Sequence, residues 1–280
     1  MTAAIWGFGF IAQRLGMNHL GPYGFNSFRF LLGALSLLPV CLVQRKRSAE
    51  KINRRFWLIG CIAGLALFGG ATLQQVGLQF TTVGKTGFIT GLYIVIVPII
   101  GLTLKQHVGG FTISGILAAA VGLYFLSIKD GFSISRGDAL ILAGALFWAV
   151  HVQVLGHTGN WNPLQLAALQ YAVCAVLNLA LAFSFETVSL NAIVSAALPI
   201  VYSGLFSVGV AFTIQVIAQK HIDPSRAAIL LSLEAVFAVL GGWLVLHETL
   251  TLRELLGCAL MFAGMLLSQL QNLRKNPQKT

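Results

Sequence analysis

Apolar residues run along this chain in long blocks, and each block is separated from the next by a few polar residues. Within a block the apolar positions are continuous rather than alternating. That pattern predicts helices buried on every side, not strands of a barrel. Ten blocks predict helices at roughly 2–17, 21–43, 56–80, 84–104, 111–128, 138–156, 163–184, 192–218, 225–246 and 253–270. Most approach the ~20 residues that cross ~30 Å of hydrocarbon, and several fall a little short. The expected fold is an all-α membrane protein with ten transmembrane helices.

The blocks repeat. Shifting the sequence by 141 residues sets Pro22 on Pro163, Gln74 on Gln215 and Lys85 on Arg226. With one inserted residue, Gly115 and Gly122 fall on Gly257 and Gly264. Each half then holds five helices. Five is odd, so the second half enters the membrane upside down relative to the first. Inverted repeats around a midplane site are common in secondary transporters. The expected units are a first five-helix repeat over 1–128, an outer linker over 129–137, a second repeat over 138–270 and a cytoplasmic tail over 271–280. Ten residues run from Ala139 to Trp148, whereas five precede Trp6, so the first span is expected to be clipped by a late start or a truncated chain.

Composition sharpens this picture. Of 280 residues 57% are apolar and 9% charged, against roughly a quarter charged in soluble domains, so the chain cannot cover a soluble globule. The net charge of +10 sits between the apolar blocks, where it orients spans and meets lipid headgroups, and no basic domain suits nucleic acid. In the ten-span reading Arg45, Lys46, Arg47, Lys51, Arg54, Arg55, Lys105, Lys220, Arg226, Arg274, Lys275 and Lys279 fall on one side. Lys85, Lys129, Arg136 and Arg253 fall on the other. The positive-inside rule makes the first side cytoplasmic, with both termini there, and points to the bacterial inner (plasma) membrane. Cys41, Cys61, Cys174 and Cys258 all lie inside apolar blocks without C-x-x-C spacing, which suits small core residues rather than a metal or disulfide. No cleavable signal segment is evident.

At this point the residues resemble a known family. The stretches Ala3–Arg14 (AAIWGFGFIAQR), Phe28–Pro39, Lys85–Ile99 (KTGFITGLYIVIVPI), Gly115–Ser127 and Leu230–Thr251 (LLSLEAVFAVLGGWLVLHETLT) look like an EamA-type transporter of the drug/metabolite transporter superfamily. The resemblance implies ten helices, a central cavity and movement of small metabolites, often export of amino acids or related compounds. Two departures stand out: Ala235, where many relatives carry proline after the glutamate, and the short first span.

Several polar residues inside the spans are candidates for function. Glu234 lies nine positions past Ser225, about 13 Å along a helix, near the midplane. Facing lipid, a carboxylate there would cost roughly 2.5–3.5 kcal/mol, so it must face the bundle interior. It is either a substrate contact and proton site or a structural hydrogen bond. Its repeat mate is Tyr93. Trp148 and His151 are three apart on one face and, with Trp6, suit an aromatic wall or ordinary core packing. Gln74 and Gln215 offer uncharged amides. Tyr171, beside Gln170, shares a face with Asn178. The expected cavity residues are therefore Glu234, Tyr93, Gln74, Gln215, His151, Trp148, Tyr171 and Gln170. Arg29, Pro98, Gly87 and Gly91 are expected to serve structure or gating: Pro98 removes a backbone donor, and the two glycines form a small-x-x-x-small face. Arg29 is also a candidate for an anionic substrate group.

Enzyme motifs fail on inspection. His247–Thr251 (HETLT) begins like a zinc-protease signature but ends in threonine, Gly7–Ala12 has no strand before it, and no second acid pairs with Glu234. The expectation is a secondary transporter that moves an amino acid, aromatic or drug-like compound by alternating access, exporting it, with no cofactor. Its partners would be a small-molecule substrate, membrane lipid and protons, and not nucleic acid. The alternatives are a non-transporting membrane protein, either a lipid-substrate enzyme or a scaffold, and a passive channel.

Overall fold

The computed structural model describes residues 1–45, 52–127, 135–158, 161–247 and 251–275. Lys46, Arg47, Lys51, Lys129, Lys279 and residues 248–250 of the HETLT stretch lie outside them, as does the side chain of Cys258. Among the described residues every regular element is helical: α1 (Thr2–Gly16), α2 (Pro22–Arg45), α3 (Arg54–Leu78), α4 (Val83–Gly91), α5 (Tyr93–Thr103), α6 (Gly110–Ser127), α7 (Arg136–Leu155), α8 (Pro163–Phe185), α9 (Leu190–Ser195), α10 (Ala197–Val201), a π-helical segment (Tyr202–Phe212), α11 (Thr213–Ala218), α12 (Pro224–Ser232), α13 (Glu234–Leu246) and α14 (Leu252–Lys275). Among the described residues seven stretches are long and apolar enough to cross a membrane: Pro22–Val43, Arg54–Leu78, Val83–Thr103, Arg136–Leu155, Pro163–Phe185, Ala197–Ala218 and Pro224–Leu246. Gly110–Gly122 and Leu255–Gly264 are shorter apolar stretches, and α1 has 15 residues. The chain is a multi-pass membrane protein.

Helix ends follow local chemistry. Asn53, Thr82, Ser135, Asn162 and Ser189 each cap a helix by accepting a backbone N–H, and Ser135 with Asp138 closes a capping box. Prolines open α2, α8 and α12, where a missing N–H costs nothing. The Glu186 carboxylate accepts the Tyr23 and Gly24 N–H groups, each at 2.8 Å, at the positive end of α2.

The burial pattern is inverted relative to a soluble protein. Gln74, Gln75, Gln170, Asn178, Arg29 and Glu234 are buried, while Leu31, Leu35, Val176, Phe183 and Leu198 are exposed. Lipid can cover that apolar belt, and the interior polar groups must find one another. Where burial gives little drive between helices in lipid, close packing replaces it, and small residues permit it. A Cβ on Gly122 would lie 2.6 Å from the Gly257 carbonyl oxygen, and one on Gly264 would lie 2.5 Å from that of Gly115. The two contacts clamp α6 against α14. Gly87 likewise lets α4 approach Ala235 and Ala238 of α13. Elsewhere α2 packs on α8, α3 on α7, and α1 on both the π segment and α13.

Gly7 makes the tightest of these demands, since a Cβ there would collide with the Phe237 Cβ and sit 2.7 Å from the Glu234 carbonyl oxygen. We expect Gly7→Ala to destabilise the protein by about 1–3 kcal/mol through forced separation of α1 and α13. Gly110→Ala, where a Cβ meets nothing within 4 Å, should be neutral or slightly stabilising. Thermal unfolding in detergent checks both; equal shifts would sink the packing argument.

Candidate functional site

Two membrane stretches are broken at matching places. Leu92 (φ −60°, ψ −14°) separates α4 from α5, and Leu233 (φ −59°, ψ −12°) separates α12 from α13. At each break the ladder tightens to shorter bonds, Leu92 N–H to the Ile89 carbonyl and Val236 N–H to the Leu233 carbonyl. The residues that open the second half-helices are Tyr93 and Glu234, and both side chains turn inward. Pro98 lies inside α5, six residues beyond its break. No proline follows Glu234, so the bend at Leu233 forms without one. Gly91 ends α4 beside the first break, buried.

Both residues line one narrow cavity, together with Trp6, Phe10, Gln13, Arg29, Gln74, Thr90, Trp148, Val152, Ser207, Phe212, Gln215 and Leu231. Glu234 is 4% exposed and sits at the positive N-terminal end of α13. The Tyr93 hydroxyl lies beside its carboxyl. No hydrogen bond of normal geometry reaches that hydroxyl. The cavity holds about 30 Å³, room for a water or two but far below the roughly 300 Å³ of a ligand site.

The wall has an amide side and an aromatic side. Gln74 is the hub of the first. Its Oε1 accepts from Trp148 Nε1 at 3.0 Å and Thr90 Oγ1 at 3.3 Å, and its Nε2 donates to Gln13 Oε1 at 3.3 Å. Gln215, 141 residues further along, leaves its Oε1 without a partner. Phe212 is the hub of the second. Its ring stacks on Trp148 (5.6 Å, 14°), tilts against Trp6 at 4.4 Å, and meets Phe30, Tyr171 and the edge of His151. Trp6 is held in turn by its Nε1 donating to the Ser207 carbonyl at 3.1 Å. Phe212 ends the π-helical segment, a geometry that is rare and concentrated at functional sites.

Of the residues expected from sequence, Glu234, Tyr93, Gln74, Gln215 and Trp148 line the cavity, and so does Arg29. His151, Gln170 and Tyr171 sit one layer behind it, fully buried. His151 Nε2 meets Gln170 Oε1 at 2.6 Å, and the Tyr171 hydroxyl meets Thr213 Oγ1 at 3.1 Å. His151 Nδ1 and Gln170 Nε2 have no partner in this arrangement. Phe10, Gln13, Thr90, Ser207 and Phe212 were not among the expected cavity residues. The offset of the repeats could have found Ser207, whose mate is Ala66, only by its polarity, and nothing separates Phe212 from the other phenylalanines.

The two ends of the bundle differ. At one, Lys85 Nζ pairs with Asp138 Oδ2 at 2.7 Å, Thr81 Oγ1 donates to Asp138 Oδ1 at 2.9 Å, and Arg14 donates to the Leu78 and Thr81 carbonyls. These contacts tie α1, α3, α4 and α7 together. At the opposite end of α5 and α7, Gln106, His107, Gly156, His157, Asp223 and Arg226 border a cavity of about 410 Å³. Among the described residues no group of three or more His, Cys, Asp or Glu side chains is placed to hold a metal ion.

The EamA-like transporter family matches residues 1–128 and 135–270. An uncharacterized transporter of Archaeoglobus fulgidus is 34% identical over 97% of this chain and 84% of its own length. The uncharacterized transporter YoaV of Bacillus subtilis is 27% identical over 94% of this chain and 92% of its own. One crystal structure superimposes over 98% of this chain and 96% of its own with a TM-score of 0.77 at 19% identity, a likeness of fold.

Proposed function

The chain belongs to the EamA-like transporter family, and from that premise we propose that it is a secondary transporter that exports a small metabolite by alternating access, built as two inverted five-helix repeats. The observation that carries this reading is the pair of broken helices. Leu92 and Leu233 are repeat mates, as are Tyr93 and Glu234, and both breaks aim side chains into one cavity. Discontinuous helices from two halves meeting at mid-membrane are a recurrent way to build a transport site. The reciprocal contacts of Gly122 with Gly257 and of Gly264 with Gly115 support a two-fold relation between the halves. So do the two matched stretches of the family model.

In this reading Glu234 and Tyr93 hold the polar part of the substrate, Gln74 and Gln215 offer neutral amides from the two halves, and Trp6, Trp148 and Phe212 hold its apolar body. A proton on Glu234 is the candidate coupling ion. The cavity must widen to admit a metabolite, which is what rocking of the halves would do. The Lys85–Asp138 cluster closes the outer face, and the cavity beside His107 and His157 is the cytoplasmic mouth, as the distribution of basic residues supports.

The test is counterflow in liposomes holding the purified chain. A carrier gives saturable uptake that unlabelled substrate on the far side accelerates. Linear flux without exchange would mean a channel, and no flux for any compound of a broad metabolite panel would favour a scaffold. The outer closure makes a second prediction. Lys85→Ala should shift the protein toward the outward-open form by about 1 kcal/mol, since Lys85 is partly exposed and the pair is partly screened. A cysteine placed at Thr90 in a background lacking native cysteines should then react about fivefold faster with an impermeant thiol reagent from that face. An unchanged rate would remove the pair from the gating mechanism.

A further inference from the structure

Arg29 is a buried cation without a matching acid. It lies on α2, 2% exposed, about 10 Å from the start of that helix, and it lines the central cavity. Its Nε donates to Asn26 Oδ1 at 2.8 Å, and Asn26 is itself anchored by its Nδ2 on the Ala71 carbonyl at 3.2 Å. The guanidinium carbon stands 4.7 Å from the centroid of the Phe30 ring. These contacts fix the plane of the group. Among the described residues the ion pairs are Lys85 with Asp138 and Arg226 with Asp223, and no carboxylate comes within 4 Å of Arg29. Glu234 lines the same cavity without pairing to it.

A guanidinium in a membrane interior is costly unless something compensates it. Asn26 and Phe30 satisfy one edge and one face. The terminal N–H groups remain, and they form the planar fork that matches a carboxylate by two parallel hydrogen bonds. Extending the transporter reading above, we propose that Arg29 is the carboxylate subsite of the cavity and that the transported compounds are organic monocarboxylates with a flat apolar body. The body would lie against Trp6, Trp148 and Phe212. A dianion such as a phosphate ester is disfavoured, because among the described residues Arg29 is the one Lys or Arg lining the cavity and the Glu234 carboxyl lines it too.

Four compounds with one ring and different ends isolate the contact: 3-phenylpropionate (carboxylate only), L-phenylalanine (carboxylate and amine), 2-phenylethylamine (amine only) and 3-phenylpropanol (neither). Their binding is measured by calorimetry on the full chain in lipid nanodiscs. In wild type the two carboxylates should bind at least about tenfold more tightly than the other two, as charge-assisted hydrogen bonds require. Arg29→Gln should erase that preference while leaving 3-phenylpropanol within about twofold. Arg29→Lys keeps the charge but not the fork, and should retain part of the preference. Where Arg29→Gln does not fold, the wild-type preference and its reduction in Arg29→Lys decide the matter.

Equal binding of all four compounds, no binding of any, or a preference that survives Arg29→Gln would overturn the proposal. A further gain for L-phenylalanine over 3-phenylpropionate that Glu234→Gln removes would extend it to zwitterions. Counterflow of a bound carboxylate tests the transporter reading separately. Binding without exchange would sink that reading and leave the subsite standing, and exchange of compounds lacking a carboxylate, with no preference, would do the reverse.

Discussion

Replacing Glu234 by glutamine should cut transport by about 10- to 100-fold while leaving the protein folded. The shape is preserved, and an amide can still face the Tyr93 hydroxyl, so packing at the break between α12 and α13 persists. What disappears is the charge and the exchangeable proton. Hydrogen bonds to a charged group contribute about 1.5–3 kcal/mol, and 1.36 kcal/mol is a factor of ten. The measurement is efflux from cells preloaded with a labelled metabolite panel, with wild type, Glu234→Gln and empty vector at matched membrane abundance. If a proton on Glu234 couples transport, a pH jump should drive wild type and not the variant. Equal efflux with the same pH response would make the carboxyl a structural tie between helices, and the site would have to be sought among Gln74, Gln215 and Arg29.

Phe212→Ala should have the largest effect on stability. Its ring contacts five other rings, and it is 5% exposed. The surrounding side chains come from α1, α2, α7 and α8, so no single shift can fill the space. Removing a buried phenylalanine typically costs about 3–5 kcal/mol. For a chain of this size that is a fall in melting temperature on the order of 10 °C. Phe183→Ala is the matched control. Phe183 is 74% exposed on the lipid-facing side of α8, and its loss should stay within about 0.5 kcal/mol. Similar shifts for the two variants would mean that the aromatic cluster does not hold the helices together.

These two phenylalanines show where sequence reading stops. The helices were legible because the length of an apolar block is itself the signal, and the described residues are helical over most of each block, with seven stretches long and apolar enough to cross a membrane. Glu234 and Tyr93 were legible because a polar group at membrane depth is costly and must face inward. The offset of 141 residues pairs the two along the sequence. Which face of an apolar helix turns inward was not legible, because such a helix carries no polar stripe to mark it. Phe212 and Phe183 read alike for that reason, among 19 phenylalanines. For the same reason sequence did not place His151, Gln170 and Tyr171 a layer behind the cavity, where His151 meets Gln170 and Tyr171 meets Thr213 while His151 Nδ1 and Gln170 Nε2 stay without partners. The π segment has no proline or charge to announce it, and the bend at Leu233 forms without the proline that a break would suggest.

The small volume of the cavity has a bearing on the cell as a whole. A membrane of this kind is an electrical insulator, and moving one elementary charge across it is worth about 2.3 kcal/mol per 100 mV. A passage lined by polar groups invites leak. Here Gln74 is bonded to Trp148, Thr90 and Gln13, the central space is about 30 Å³, and the Lys85–Asp138 cluster stands across one end. A hydrated ion does not fit a space of that size. A bundle this tightly filled should therefore add little to the ion conductance of the membrane that holds it.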